Sequence, residues 1–203
     1  MIEIHKDAER WTLTLNRLDK ANALTQAMLS DLCVAVETAS GNAKVLVLTG
    51  AGNVFCAGAD LDDVKAGLAT DPVWERLSSA IAEFPGFSIC ALNGTLAGGA
   101  FGMALACDVR ICVPKAQFFY PVMELGFLPQ PSDPKRLSAL IGPSRAKMIL
   151  MGGYRLDADE AVSWGLVDKV VGQENLMRVA EKISQNAMNA DASHINGIKG
   201  LLG

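Results

Sequence analysis

The sequence predicts an α/β fold. Two runs, KVLVLTG (44–50) and FSICALNG (87–94), stay apolar over the length of a strand, as strands covered on both faces do. Two longer segments, 25–39 and 174–190, carry apolar residues at helical spacing. Strands and helices then follow one another in the order strand, strand, helix, with short connections.

The elements read in order as follows. IEIHKD and WTLTLNR (2–7 and 11–17) form a hairpin around AER. In the helix over 25–39, Met28, Leu29, Leu32, Cys33 and Val36 share one face, and Thr25 caps the start. After the strand at 44–50, Asp71 and Pro72 open a helix over 71–84. The strand at 87–94 runs into a glycine-led apolar helix over 96–108. Strands follow at 109–113 and 116–120. Two short helices, PKRLSALIG and PSRAKMILMGG, each close on glycine. A capped helix over 156–165, a strand in LVDKVV and the helix over 174–190 complete the series.

With 203 residues, 50% hydrophobic and 20% charged, the chain is sized for one compact domain. The net charge of -4 and the scatter of Lys and Arg argue against nucleic acid as a partner. The N-terminus has no signal-like charge and apolar pattern, and no apolar stretch approaches a membrane span. Five cysteines, an odd number without a CxxC, read as reduced thiols in a cytoplasmic protein. Cys56 alone falls in a candidate site, as a packing residue rather than a nucleophile. His5 and His194 join no Ser or Cys constellation, and no metal-ligand spacing occurs.

Two segments share a design: a buried strand followed by small residues. They are KVLVLTGAGNVFCAGAD (44–60) and ICALNGTLAGGAFGMALACD (89–108). Small residues let a ligand approach backbone N–H groups, and Gly98 and Gly99 sit where a helix begins, a place that favours negative charge. Two such turns face to face can hold a carbonyl oxygen between two N–H donors, an oxyanion hole. Glycine loops equally serve tight turns and close helix–strand packing. No GxGxxG occurs around residues 94–102, which speaks against a dinucleotide site, and the absence of GxxxxGK[ST] and GxSxG excludes the P-loop and hydrolase-elbow readings.

FCAGADL (55–61), NGTLAGGAFGMALACDVRI (93–111), AQFFYPVMELGFLP (116–129) and ILMGGYRLDADEAVSWGLVDKVV (149–171), preceded by LTLNRLDKANAL (13–24), resemble the crotonase family, the enoyl-CoA hydratase/isomerase superfamily. The resemblance implies a spiral of ββα units with stacked sheets over residues 1–172, and a shortened C-terminal helical part over 173–203. It implies an acyl-CoA thioester as substrate, no cofactor besides that CoA, and a homotrimer or hexamer. The N–H groups of Ala59 and Gly99 are implied as the oxyanion donors. Lys20, Ala21, Ala23, Leu24, Cys56, Ala57, Asp60 and Leu61 are implied around the CoA, with Gly98 beside the oxyanion turn; Asp60 is read as a loop-orienting residue.

The family's hydratases use two glutamates, and the positions that match them here are Gly102 and Val122. The resemblance implies that some isomerases of the family keep one carboxylate at the Val122 position, while others, and the dehalogenases, carry it at or near a position that is Gln130 here. Hydration is therefore disfavoured against isomerisation, with decarboxylation, hydrolysis or a non-catalytic acyl-CoA-binding or assembly subunit as alternatives. Among nearby carboxylates, Glu124 is the first candidate acid, because on an extended segment it shares a side with Val122. Asp133 reads as a helix cap before Pro134, and Tyr120, beside Phe118 and Phe119, as packing.

Overall fold

A computed structural model describes residues 1–202. The strands are β1 (Ile2–Asp7), β2 (Arg10–Leu15), β3 (Val45–Gly50), β4 (Val54–Cys56), β5 (Phe87–Leu92), β6 (Thr95–Ala97), β7 (Val109–Cys112), β8 (Gln117–Phe119), β9 (Leu156–Asp157) and β10 (Lys169–Val170). The helices are α1 (Gln26–Ala39), α2 (Leu61–Lys65), α3 (Val73–Ala82), α4 (Phe101–Ala106), α5 (Val122–Leu125), α6 (Asp133–Ile141), α7 (Pro143–Leu150), α8 (Ala158–Trp164), α9 (Leu176–Asn189) and α10 (Ala192–Leu202).

Two sheets organise the chain. One has the order β1-β2-β3-β5-β7-β10, the other β4-β6-β8-β9. The central pairs β3–β5–β7 and β4–β6–β8 are parallel. Each unit of long strand, short strand and helix therefore advances one position in both sheets at once. That is the spiral of ββα units the sequence implied. The hairpin β1–β2 is antiparallel and turns through Ala8. The apolar run of β3 is buried along its length, and α9 packs against β3, β5 and β7. Phe55, Phe84, Phe101 and Phe118 fill the core.

α2 and α10 have no counterpart in the sequence reading, and other elements differ from it for local reasons. The helix expected from 96 starts only at Phe101: Thr95–Ala97 pair with β4 and β8, and Gly98 adopts φ 58°, a left-handed conformation that no helix passes through. The strand expected over 166–171 shrinks to Lys169–Val170, since the N–H groups of Leu166 and Val167 both donate to the Ala161 carbonyl at the end of α8. Residues 122–125 form a helical turn closed by Gly126 (φ 73°) instead of an extended segment. The short strands β4, β6 and β9 lack any alternation a pattern can register.

Candidate active site

The two small-residue turns meet. Gly58 (φ 101°) and Gly98 (φ 58°) pack so closely that a Cβ on Gly58 would lie 3.3 Å from the Ala97 carbonyl oxygen, and one on Gly98 would lie 3.6 Å from the Gly58 Cα. Positive φ favours glycine at both positions, and at Gly58 the close approach of the Ala97 carbonyl adds to the demand. The first turn is fixed by its neighbours. The Leu24 N–H donates to the Gly58 carbonyl at 2.8 Å and the Asp60 N–H to the Leu24 carbonyl at 2.8 Å. In such a parallel bridge Leu24 bonds the residues on either side of Ala59, so the Ala59 N–H faces the opposite side. Gly99 stands in the first turn of the helical segment 98–100, where an N–H has no partner within the helix.

Ala59 and Gly99 both line a cavity of about 190 Å³. Its other walls include Ala57, Leu61, Gly98, Trp74, Phe119, Tyr120, Val122, Leu125, Phe127, Leu128 and Gln130. The Trp74 ring lies 3.3 Å from where a Gly99 Cβ would stand, and its Nε1–H donates to the Leu68 carbonyl at 2.8 Å. The backbones of Ala59 and Gly99 thus meet at one cavity whose walls are mostly apolar, with Tyr120 and Gln130 as polar members. It suits an oxygen that gains negative charge while its substituents stay in hydrocarbon surroundings.

The expected CoA-contacting residues, taken with Gly98 and the matched positions Val122 and Gln130, divide into two groups. Ala57, Leu61, Gly98, Val122 and Gln130 face the cavity; Lys20, Ala21, Ala23, Leu24, Cys56 and Asp60 do not line it. Leu24 is fully buried with both backbone groups engaged, so it supports the turn. Ala21 accepts a hydrogen bond from the Ala57 N–H at 3.0 Å, tying the two loops together. Lys20 is exposed. Asp60 caps α2, accepting from the N–H groups of Asp62 and Asp63, and pairs with the Arg17 guanidinium at 2.7 Å. Arg17 and these N–H donors hold its carboxyl below the usual range. Cys56 donates from its thiol to the Asn22 carbonyl at 3.0 Å, and burial pushes the thiol up to about 12. It is a packing residue.

Glu124 is a correction. In the helical turn of α5 it points away from Val122, it is exposed, and it is not part of the cavity wall. The extended geometry that recommended it does not form. Asp133 is a second correction. Ser132, not Asp133, takes the cap position of α6, and the Asp133 side chain turns inward and is fully buried. There it accepts a hydrogen bond from the Tyr120 hydroxyl at 2.9 Å. It rests on Gly102, where a Cβ would come within 3.1 Å of Asp133 Oδ1. Burial raises the Asp133 carboxyl to about 7, opposed by Tyr120 and Arg136. Burial, then the nearby Asp133 charge, raises the Tyr120 phenol.

Sequence reasoning missed Trp74, Leu125, Phe127 and Leu128 as cavity walls, since apolar residues carry no mark of their partner. It also missed the buried Asn22, whose Nδ2 donates to the carbonyls of Ala51 and Val54 and whose Oδ1 accepts from the Arg17 N–H, binding the loops under the site. The clue there is an asparagine inside an otherwise apolar NAL stretch.

The family model for enoyl-CoA hydratase/isomerase matches residues 8–202. A short-chain-enoyl-CoA hydratase of Clostridium acetobutylicum is 33% identical over 198 residues, covering 92% of this chain and 74% of that one. A 1,2-epoxyphenylacetyl-CoA isomerase of Escherichia coli is 31% identical over 193 residues, covering 90% and 74%. The crystal structure of an enoyl-CoA hydratase/isomerase from Pseudoalteromonas atlantica superposes with a TM-score of 0.92 at 28% identity, covering 99% and 82%. The chain belongs to the enoyl-CoA hydratase/isomerase family and is an acyl-CoA enzyme of it. No helix among the described residues is long and apolar enough to cross a membrane.

Proposed function

We propose that the protein isomerises an enoyl-CoA through an enolate, with the thioester oxygen held between the N–H groups of Ala59 and Gly99. The observation that carries the reading is that Ala59, Gly99 and Val122 line one cavity, while Gly102 and Val122 stand where the family's hydratases have their two glutamates. Negative charge builds on the thioester oxygen as the adjacent C–H bond breaks, and preorganised donors stabilise it by about 3 kcal/mol each. Moving a proton between two carbons needs one acid–base group, whereas adding water calls for two. The reaction is redox-neutral and needs no cofactor beyond the CoA on the substrate. A homotrimer or hexamer is the proposed assembly, checked by light scattering.

The test is a panel of 2-enoyl, 3-enoyl, 3-hydroxyacyl and malonyl-type thioesters followed by chromatography and mass spectrometry. Interconversion of the enoyl pair without gain of water supports isomerisation. Gain of water, loss of carbon dioxide or release of free CoA each replaces it with another reaction. Binding with every thioester returned unchanged makes the protein a non-catalytic acyl-CoA binder.

A further inference from the structure

We propose that Tyr120 and Asp133 form a proton relay at this site: the Tyr120 hydroxyl exchanges the proton with the substrate, and Asp133 receives and returns it from behind. The inference rests on the acyl-CoA reading above.

The geometry supplies each part. Tyr120 lines the same cavity as Ala59 and Gly99, and its ring is fixed by stacking on Phe101 at 5.3 Å. Its oxygen donates to Asp133 Oδ2 at 2.9 Å and accepts from the Gln130 N–H at 3.3 Å. A phenol has one donor and two lone pairs, so one lone pair is left. The Gln130 N–H stands ready for charge that builds on the phenol oxygen. Asp133 lies behind, at 0% exposure, and its Oδ1 has no hydrogen-bond partner among the described residues. Arg136 Nη1, on the same helix, is likewise buried without a partner among those residues, so the surroundings of Asp133 leave its Oδ1 free to accept a proton.

The step balances within the pair. The C–H bond beside the thioester carbonyl breaks, its proton goes to the Tyr120 oxygen, and the Tyr120 proton moves to Asp133 Oδ2. The electron pair becomes the enolate, its charge on the oxygen facing Ala59 and Gly99. Reversal delivers a proton to the far carbon of the allylic system and restores the Asp133 carboxylate. Negative charge thus leaves a buried carboxyl that solvates it poorly and passes to two waiting N–H donors. Tyr120 is the catalytic residue of the pair, and Asp133 acts through it.

The charged and titratable groups that face Asp133 are Tyr120, Arg136 on its own helix and Glu75 on α3. Burial favours neutral Glu75, but hydrogen bonds from the Ser132 hydroxyl and N–H, with Arg136, leave it below the usual range, so it stays ionised near neutrality. A single ionisation, that of Asp133 near 7, is therefore expected in the rate profile, with activity rising as the carboxylate forms.

The experiment follows 3-hexenoyl-CoA in deuterium oxide with the full chain. It records deuterium at the carbon beside the carbonyl and conversion to 2-hexenoyl-CoA. Tyr120→Phe and Asp133→Asn are each expected to lower kcat by about 100-fold or more with KM within about threefold, and Asp133→Asn to remove the pH limb near 7. Glu124→Gln serves as the control and leaves both readouts unchanged. Tyr120→Phe keeps the ring on Phe101 and stands alone if Asp133→Asn fails to fold. Exchange by wild type that persists within tenfold in folded Tyr120→Phe overturns the relay and leaves the acyl-CoA reading intact. Absence of both exchange and conversion in wild type overturns the two together.

Discussion

Gly102 and Asp133 occupy one another's space: a Cβ on Gly102 would sit 3.1 Å from Asp133 Oδ1 and 3.7 Å from Oδ2. The Asp133 carboxyl, from α6, is seated on the bare backbone of the glycine in α4. Gly102→Ala forces the carboxyl to give by a few tenths of an ångström while it remains bonded to Tyr120. The expected cost is about 1 kcal/mol in stability and a drop in turnover of about tenfold or more. Gly102→Glu overfills the site and lowers stability further, and adding Asp133→Gly to it recovers folding. Thermal melts of the two single variants and the double variant check this; additive losses would show that the two positions do not share space.

The second prediction concerns pH. The Asp133 carboxyl is raised in the folded protein to about 7, against roughly 3.9 unfolded. The folded state therefore holds its proton more tightly. Below the unfolded value Asp133 costs nothing, and stability is lost as pH rises from about 4 to about 7, on the order of 4 kcal/mol in all. Asp133→Asn carries no charge, keeps an acceptor for Tyr120 and escapes that loss. Its melting temperature is expected to exceed wild type by several degrees at pH 8.5, with the advantage shrinking or reversing at pH 5. Parallel curves for the two proteins would mean that Asp133 does not titrate in this range. A variant that gains stability as it loses turnover is also what a strained functional group predicts.

Much of the fold was legible because its long elements advertise their burial. The continuous apolar run of 45–50 and the helical stripe of Met28, Leu29, Leu32, Cys33 and Val36 face the core as expected. The two glycine turns stood out in the sequence because small residues follow buried strands, but the same pattern fits plain tight turns, and only the resemblance to the family gave them a role. Glu124 and Asp133 were misread for the same reason in opposite directions. Whether a side chain two residues from Val122 shares its side depends on strand or helix, and the four-residue turn of α5 is too short to carry a period. An Asp before Pro fits a cap, and only the tertiary position of Gly102 and Tyr120 reveals why this one turns inward.

The oxyanion reading predicts a specific contrast at Gly99. Gly99→Pro removes the N–H. Gly99→Ala keeps it and adds a Cβ 3.3 Å from the Trp74 ring. If the N–H matters, Gly99→Pro should cost a further 10²–10³-fold in kcat beyond whatever Gly99→Ala costs through Trp74. Substrate affinity should change far less than turnover. Equal losses in the two variants would assign the effect to crowding of Trp74 and remove Gly99 as a donor.

No residue of α10 is fully buried, so little apolar packing holds that helix. Its anchor is Lys199, whose Nζ donates to the carbonyls of Phe84 at 2.9 Å and Gly86 at 3.3 Å and pairs with Asp108 Oδ1 at 2.9 Å. Asp108 is itself held by the Ser88 N–H and hydroxyl at 2.8 and 2.9 Å, so the cation meets a fixed partner. Lys199→Met retains the apolar stem and removes the ammonium. Charge-assisted hydrogen bonds contribute about 1.5–3 kcal/mol, so amide exchange in α10 should quicken by about tenfold or more while the strands of the first sheet keep their protection. Unchanged exchange in α10 would mean that side-chain packing, not Lys199, seats the helix, whereas faster exchange throughout the core would make α10 part of the cooperative unit rather than a strap laid across it.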